Sequence, residues 1–175
     1  MYFHFCASVP ILLSRAFREQ QARETHARAH RNVAALLEHC GGFSQEELDR
    51  EFEGFGIPSV RAQLHHALGA EKYWIGVLEG RIDVEEDPAD AASVEALEAF
   101  RARIFDVTDA YLAGASPETL NTVRPLATWG GAVKDLVPAH VFLRTFAHLY
   151  HHQGQVTALC RLLGRPTGGL DYPLD

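Results

Sequence analysis

Four long stretches of helix-forming sequence, each delimited by Ser, Gly or Pro, constrain this 175-residue chain to a helical fold. The stretches run from Ser8 and Pro10 to Cys40, from Ser59 to about Gly80, from Ala89 to about Ala113, and from Pro138 to Gly164. The connections carry short-helix signals, such as the capping box formed by Ser44 and Glu47. A short extended piece is predicted around Val123 to Val133. These features predict an all-α fold, a four-helix bundle with short extra helices in the connections.

Length and composition predict one globular domain spanning residues 1–175. The chain is 47% hydrophobic and 22% charged, which is typical of globular proteins. A net charge of −7 disfavours nucleic-acid binding. No apolar run reaches the ~20 residues of a membrane span, so no membrane partner is expected. Three widely spaced cysteines without a CxxC motif indicate a reduced, cytoplasmic setting.

Helical periodicity separates His66, His148 and His152 from the other seven of the chain's 10 histidines. His148 and His152 are one helical turn apart and therefore share a face. His66 shares an apolar stripe with residues four and eight positions later, which predicts that it points inward. His65 shares a charged stripe instead, and His151 lies to the side of the pair. The three inward histidines are thus predicted to meet between two helices.

Three neutral imidazoles can bind one divalent metal ion and leave a coordination position open, as in catalytic metal sites. Zinc, nickel and iron all suit imidazole ligands, so the sequence leaves the metal open. No glutamate follows His148, which excludes the HExxH motif of zinc proteases. The alternative interpretation is that these histidines form ordinary hydrogen bonds in the core.

A second pair at the same spacing, His26 and His30, lies on the first helix. Because such pairs arise often by chance in a histidine-rich chain, we interpret this one as part of a partly exposed helical face rather than a ligand pair.

Three segments resemble the DinB-like family of small metal-binding bundles. They are Asn32-Val-Ala-Ala-Leu-Leu; the stretch from Ser59 to Trp74 with its ordered His66, Glu71 and Trp74; and His148-Leu-Tyr-His-His152-Gln-Gly-Gln155. The resemblance implies an up-down-down-up four-helix bundle, commonly dimeric, with one divalent metal ion held by His66, His148 and His152. Gln153 replaces the family's usual Arg. Residues 1–15 exceed the family's length and are a candidate N-terminal extension.

The resemblance also implies a metal-dependent enzyme of the thiol S-transferase type, which conjugates a low-molecular-weight thiol to an electrophile. The alternatives are a metal-dependent hydrolase and a non-catalytic metal-binding stress protein. The expected partner is therefore a small-molecule substrate, with a homodimer as the expected assembly. Aromatic residues near helix ends are candidates for its interface: Phe52, Phe55, Trp129 and Phe142.

Four polar residues are candidates for assisting the chemistry: Gln155, Tyr150, Glu71 and Asn32. Gln155 lies close to one turn beyond His152, where it could hold a ligand imidazole or a substrate. For each of the four, core packing or a hydrogen bond on the helix surface is the alternative role. We expect the electrophile to lie near Trp74 and Tyr150.

Overall fold

The structure, a computed structural model, describes residues 18–82 and 87–174, and most of these are helical. The α-helices are α1 (Glu19–Cys40), α2 (Gln45–Asp49), α3 (Val60–Glu79), α4 (Val94–Gly114), α5 (Pro117–Asn121) and α6 (Pro138–Leu162). The strands are β1 (Arg124–Ala127) and β2 (Val133–Leu136), and short 3₁₀ turns span Pro88–Ala91 and Trp129–Gly131. The all-α prediction is therefore right in broad terms, with one small hairpin added.

Most of the described helix boundaries follow the predicted capping chemistry. The Ser44 hydroxyl accepts the Glu47 backbone N–H at 3.1 Å, and the Glu47 carboxylate accepts the Ser44 N–H at 2.8 Å. This reciprocal pair begins α2 as the capping box predicts. At the end of α3, Gly80 has a φ of 74°, a left-handed conformation that glycine adopts without strain.

The predicted start of the third long helix at Ala89 is wrong. Residues 88–91 form a separate 3₁₀ turn, whose start Asp87 caps by accepting the Ala89 N–H at 2.9 Å. The helix itself begins at Val94, because the Ser93 hydroxyl accepts the Ala96 N–H at 3.1 Å. The unbroken first helix predicted from Ser8 and Pro10 to Cys40 is also wrong, because Arg18 is extended and α1 begins only at Glu19. The predicted start at Ser8 and Pro10 and the candidate extension over residues 1–15 lie outside the described residues.

The four long helices pack against one another around an apolar core. Helix α3 contacts both α4 and α6, and α1 contacts the same two helices. Buried aliphatic side chains from all four helices, such as Leu36, Leu68, Leu97 and Leu159, fill the interior. Each contributes about 1.5–3 kcal/mol by leaving water. The α3–α6 contact is the one that positions the predicted metal ligands.

Strands β1 and β2 form an antiparallel hairpin with Arg124 opposite Leu136. The extended piece predicted around Val123 to Val133 is confirmed only in part, because β1 lies within it but the chain turns over residues 128–132 before β2 begins at Val133. At the hairpin turn, the Trp129 backbone N–H donates to the Tyr73 hydroxyl at 2.8 Å. This bond places the turn beside α3, with the Trp129 side chain 71% exposed.

The aromatic residues proposed for a dimer interface have different environments. Phe142 is fully buried in the core and cannot contribute to an interface, so that assignment is wrong. Phe52 and Phe55 are half-buried against the core, whereas Trp129 is exposed. Within the described residues, no helix is both long enough and apolar enough to cross a membrane.

Candidate metal centre

His66 from α3 and the pair His148 and His152 from α6 converge in the structure. The Nε2 atoms of His66 and His148 are 3.2 Å apart. The His152 ring centre lies 4.7 Å from that of His66 and 4.3 Å from that of His148. One nitrogen from each ring lies within 4.8 Å of the others, so this histidine trio could hold a metal ion.

A glutamine on α3 orients one ring of the trio. The Gln63 amide donates to the Ile57 carbonyl and to the Gln155 side-chain oxygen, both at 2.6 Å. Both bonds use the NH₂ group, so the Gln63 carbonyl oxygen is the atom that faces His152 Nδ1. Nδ1 must therefore carry the proton, which leaves Nε2 with a free lone pair for a metal. Second contacts of this kind are typical of metal-binding histidines.

The electrostatics of the trio favour neutral rings. Burial, followed by the neighbouring imidazole His66, lowers the pKa of His148 to about 4. Burial, followed by His148, lowers the pKa of His152 to about 4. Both rings are therefore neutral at pH 7, the state that metal binding requires.

We predict that metal-free protein loses stability as pH falls from about 6.5 towards about 4. In this window the unfolded chain protonates these two imidazoles, whose ordinary pKa is 6.5, while the folded chain keeps them neutral. Glu71 does not contribute in the upper part of this window, because its ordinary pKa of 4.5 and its still lower folded pKa both lie below it, so the carboxyl is ionised in both states. Urea unfolding at a series of pH values measures the slope.

The matched variant for this pH dependence carries both His148→Ala and His152→Ala. It lacks the two groups and should show a shallower fall in unfolding free energy between pH 6.5 and 4.5. An equal slope in wild type and variant would assign the pH dependence to other residues.

A cavity of about 290 Å³ opens beside the trio and is bordered by His66 and His148. Its walls are largely aromatic and include Trp74 and Phe100. Two of the three imidazoles are thus reachable by a small molecule, while His152 is 5% exposed. Of the two residues expected near the electrophile, Trp74 lines this cavity and Tyr150 does not.

The flanking histidines differ from the trio. His65, expected to face water on a charged stripe, is half-buried and lines the same cavity, with its ring centre 5.7 Å from that of Phe100. His151 is exposed, and its Nε2 lies 2.6 Å from the Gln155 amide nitrogen. Gln155 contacts Gln63 and His151, so it supports the trio through Gln63 and not by touching a ring of the trio.

Two other candidate helpers lie away from the trio. The Asn32 amide donates to the Leu170 and Asp171 carbonyls at 3.0 and 2.8 Å and so anchors the C-terminal segment. Gln153, at the position of the family's usual Arg, also donates to Leu170. The Tyr150 ring centre lies 6.1 Å from that of Tyr172. These three side chains hold the C-terminal segment and do not border the cavity.

Glu71, the fourth candidate, belongs to a separate buried cluster with His26 and His30. Its two carboxylate oxygens each lie 2.9 Å from Nε2 of one of these histidines, and the Thr108 hydroxyl donates to it at 2.7 Å. The prediction of a partly exposed face is wrong, because His26 is 0% and His30 1% exposed. Helix α4 covers this face, and its Phe105 ring stacks on His26 at 4.8 Å.

This second cluster offers three ligand-type residues and could also hold a metal ion, but its outer contacts differ from those of the trio. An Arg101 guanidinium nitrogen lies 3.4 Å from His30 Nδ1. The guanidinium can only donate, so His30 Nδ1 accepts this hydrogen bond, and the His30 proton sits on Nε2, which faces Glu71. Burial opposes ionisation of Glu71, yet interaction with His30 and hydrogen bonds from both histidines hold its pKa well below the usual range. The cluster is therefore arranged as a hydrogen-bonded buried carboxylate.

We predict that Gln63→Leu weakens divalent-metal binding about 10–100-fold, the usual cost of losing a contact that orients a ligand. Competition with a chromophoric chelator measures the affinity. Gln155→Leu is the matched control, because it touches Gln63 and not His152, and should have a smaller effect. If the two variants bind metal as tightly as wild type, the orienting role of Gln63 is wrong.

Comparison with known proteins identifies the family of this chain. The family described as the DinB family matches residues 20–175, nearly the whole chain. None of the curated proteins compared with the sequence matches it. Because the match includes α1 to α6 and both strands, the chain belongs to the DinB family.

Proposed function

We propose that this chain binds one divalent metal ion through His66, His148 and His152 and acts as a thiol-dependent S-transferase. The observation that carries the proposal is the cavity bordered by two of the three imidazoles. Within the described residues, no Cys, Asp or Glu joins the trio as a fourth ligand. The centre therefore resembles open catalytic sites more than closed structural ones.

A divalent metal at such a centre supplies a Lewis acid that lowers the pKa of a coordinated thiol or water. In the proposed reaction, the thiol sulfur forms a bond to an electrophilic carbon, and the leaving group departs with the bonding electrons. The thiol proton passes to solvent. Zinc, nickel and iron all fit three imidazole ligands.

The chain's own residues have two roles in this proposal. Gln63 fixes the ring of His152, so that the trio keeps its geometry without a substrate present. The aromatic walls, including Trp74 and Phe100, hold the electrophile and displace water beside the trio. Holding both reactants in one small cavity supplies the proximity that bimolecular S-transfer needs.

We also propose the up-down-down-up order of the four long helices. Residue pairs support antiparallel packing of α1 with α4, where Arg23 bonds Asp109 and His30 meets Arg101. In α3 and α6, Gln63 bonds Gln155 while His66 meets His148, which supports antiparallel packing there too. A homodimer remains part of the proposal, and light scattering would separate it from the 19.4 kDa monomer.

Cobalt-substituted protein provides the test of function. A low-molecular-weight thiol should shift the visible cobalt spectrum, and a thiol panel with an alkylating electrophile should then show thiol consumption. The His148→Ala protein should lose both responses. Hydrolysis of an ester or amide without thiol would favour the hydrolase alternative, and a spectrum that no thiol changes would favour a non-catalytic metal protein.

A further inference from the structure

The chain has two tryptophans, and both line the cavity beside the trio. Trp74 comes from α3, and Trp129 comes from the turn between β1 and β2. Phe100 of α4 adds a third aromatic wall. A ligand that fills this cavity therefore needs an apolar body that packs against aromatic rings.

A cation lines the same cavity on α6. Arg144 lies one turn before His148, so the two side chains share a helix face. The carbon at the centre of its guanidinium group lies 5.4 Å from the Trp74 ring centre, a cation–π contact that orients the group. Among residues 18–82 and 87–174, Arg144 has no carboxylate partner.

The acidic residues of the cavity are engaged elsewhere. Asp90 forms an ion pair with Arg103. Asp87 accepts the backbone N–H of Ala89 at 2.9 Å as the cap of the 3₁₀ turn. The guanidinium of Arg144 is thus a cationic group in this cavity that is positioned by an aromatic ring and not neutralised by an acid.

We propose that Arg144 binds the anionic end of the substrate, and that this site selects short carboxylate-bearing ligands with an apolar middle. The inference rests on the proposed function. The planar guanidinium matches a carboxylate with two parallel hydrogen bonds. Because Arg144 and His148 share one helix face and line the same cavity, a ligand of suitable length would reach the guanidinium with one end and the trio with the other.

Tryptophan fluorescence of the zinc-loaded protein gives a binding readout that does not depend on activity, since both tryptophans line the cavity. We would titrate ω-mercaptocarboxylates of increasing chain length and mercaptoalcohols of the same lengths. Wild type should bind the acids about 10-fold more tightly than the alcohols, with the tightest binding at an intermediate length. A steady rise with length would indicate apolar burial alone and would overturn the length argument.

Arg144→Gln removes the charge from an exposed position and should remove most of the preference for acids, with Lys72 as the other cation of the lining, while leaving the affinity for alcohols within about 2-fold. Arg144→Lys keeps the charge without the planar group and should retain part of the preference. Arg161→Gln, which changes an exposed arginine of the same helix outside the cavity lining, is the matched control and should keep the full preference.

The outcomes separate this inference from the proposed function. Equal binding of acids and alcohols by wild type, or a preference that Arg144→Gln leaves undiminished, overturns the anion site and leaves thiol chemistry intact. If no thiol changes the cobalt spectrum, the proposed function fails. The anion site can still be tested with hexanoate, a carboxylate without a thiol, by comparing its binding to wild type and to Arg144→Gln. If Arg144→Gln weakens hexanoate binding, the anion site is supported. If the substitution leaves hexanoate binding unchanged, or if hexanoate does not bind at all, the anion site is overturned.

Discussion

His148→Ala is expected to lower the affinity for divalent metal by at least about 100-fold. A complete zinc site of four ligands binds with roughly 10–16 kcal/mol, so one ligand contributes about 3 kcal/mol, and each 1.4 kcal/mol is tenfold in affinity. The Nε2 atom of His148 lies 3.2 Å from that of His66, and alanine removes this donor from the centre. Chelator competition measures the loss.

The neighbouring histidines provide the controls for His148→Ala. His65→Ala and His151→Ala change rings beside the trio that are not among its three nitrogen donors. Both variants should bind metal within a few-fold of wild type. Near-wild-type affinity in His148→Ala, or an equal loss in His151→Ala, would show that the ligand set is different.

Glu71→Ala is expected to destabilise the fold by about 3–5 kcal/mol. This is the usual cost of removing one partner from a buried pair of charged groups. The substitution leaves both histidine N–H groups and the Thr108 hydroxyl without their acceptor in the interior. Such a loss is a large part of a typical stability of 5–15 kcal/mol. Urea unfolding measures it.

Two milder changes test the same cluster. Thr108→Val removes one donor with little change in shape and should cost only about 1 kcal/mol. Glu71→Gln keeps one carbonyl acceptor, should lose less stability than Glu71→Ala, and should still bind metal through the trio. A Glu71→Ala protein within about 1 kcal/mol of wild type would mean that the cluster is not essential to the core.

Local chemistry explains which parts of the fold could be predicted. Ser44, Ser59 and Gly80 act on their own helix ends, so their sequence signals are sufficient. Ser93 is the same kind of signal. The sequence pattern does not single out Ser93 as the helix start, because the apolar pattern continues back to Ala89. In the structure, Asp87 and Pro88 start a separate 3₁₀ turn before α4.

The trio could be predicted because inward stripes are a property of single helices. Its orienting partner could not, because Gln63 and His152 are 89 positions apart and meet only through the packing of α3 on α6. The burial of His26 is likewise tertiary, since α4 covers it with Phe105. One signal was available: Ala22 and Ala29 share the helical stripe of His26, and both are buried.

An anomalous-difference map from crystals grown with zinc tests the central claim most directly. The account predicts one peak per chain, bounded by His66, His148 and His152. A peak between His26, His30 and Glu71, or no peak at the histidine trio, would contradict it.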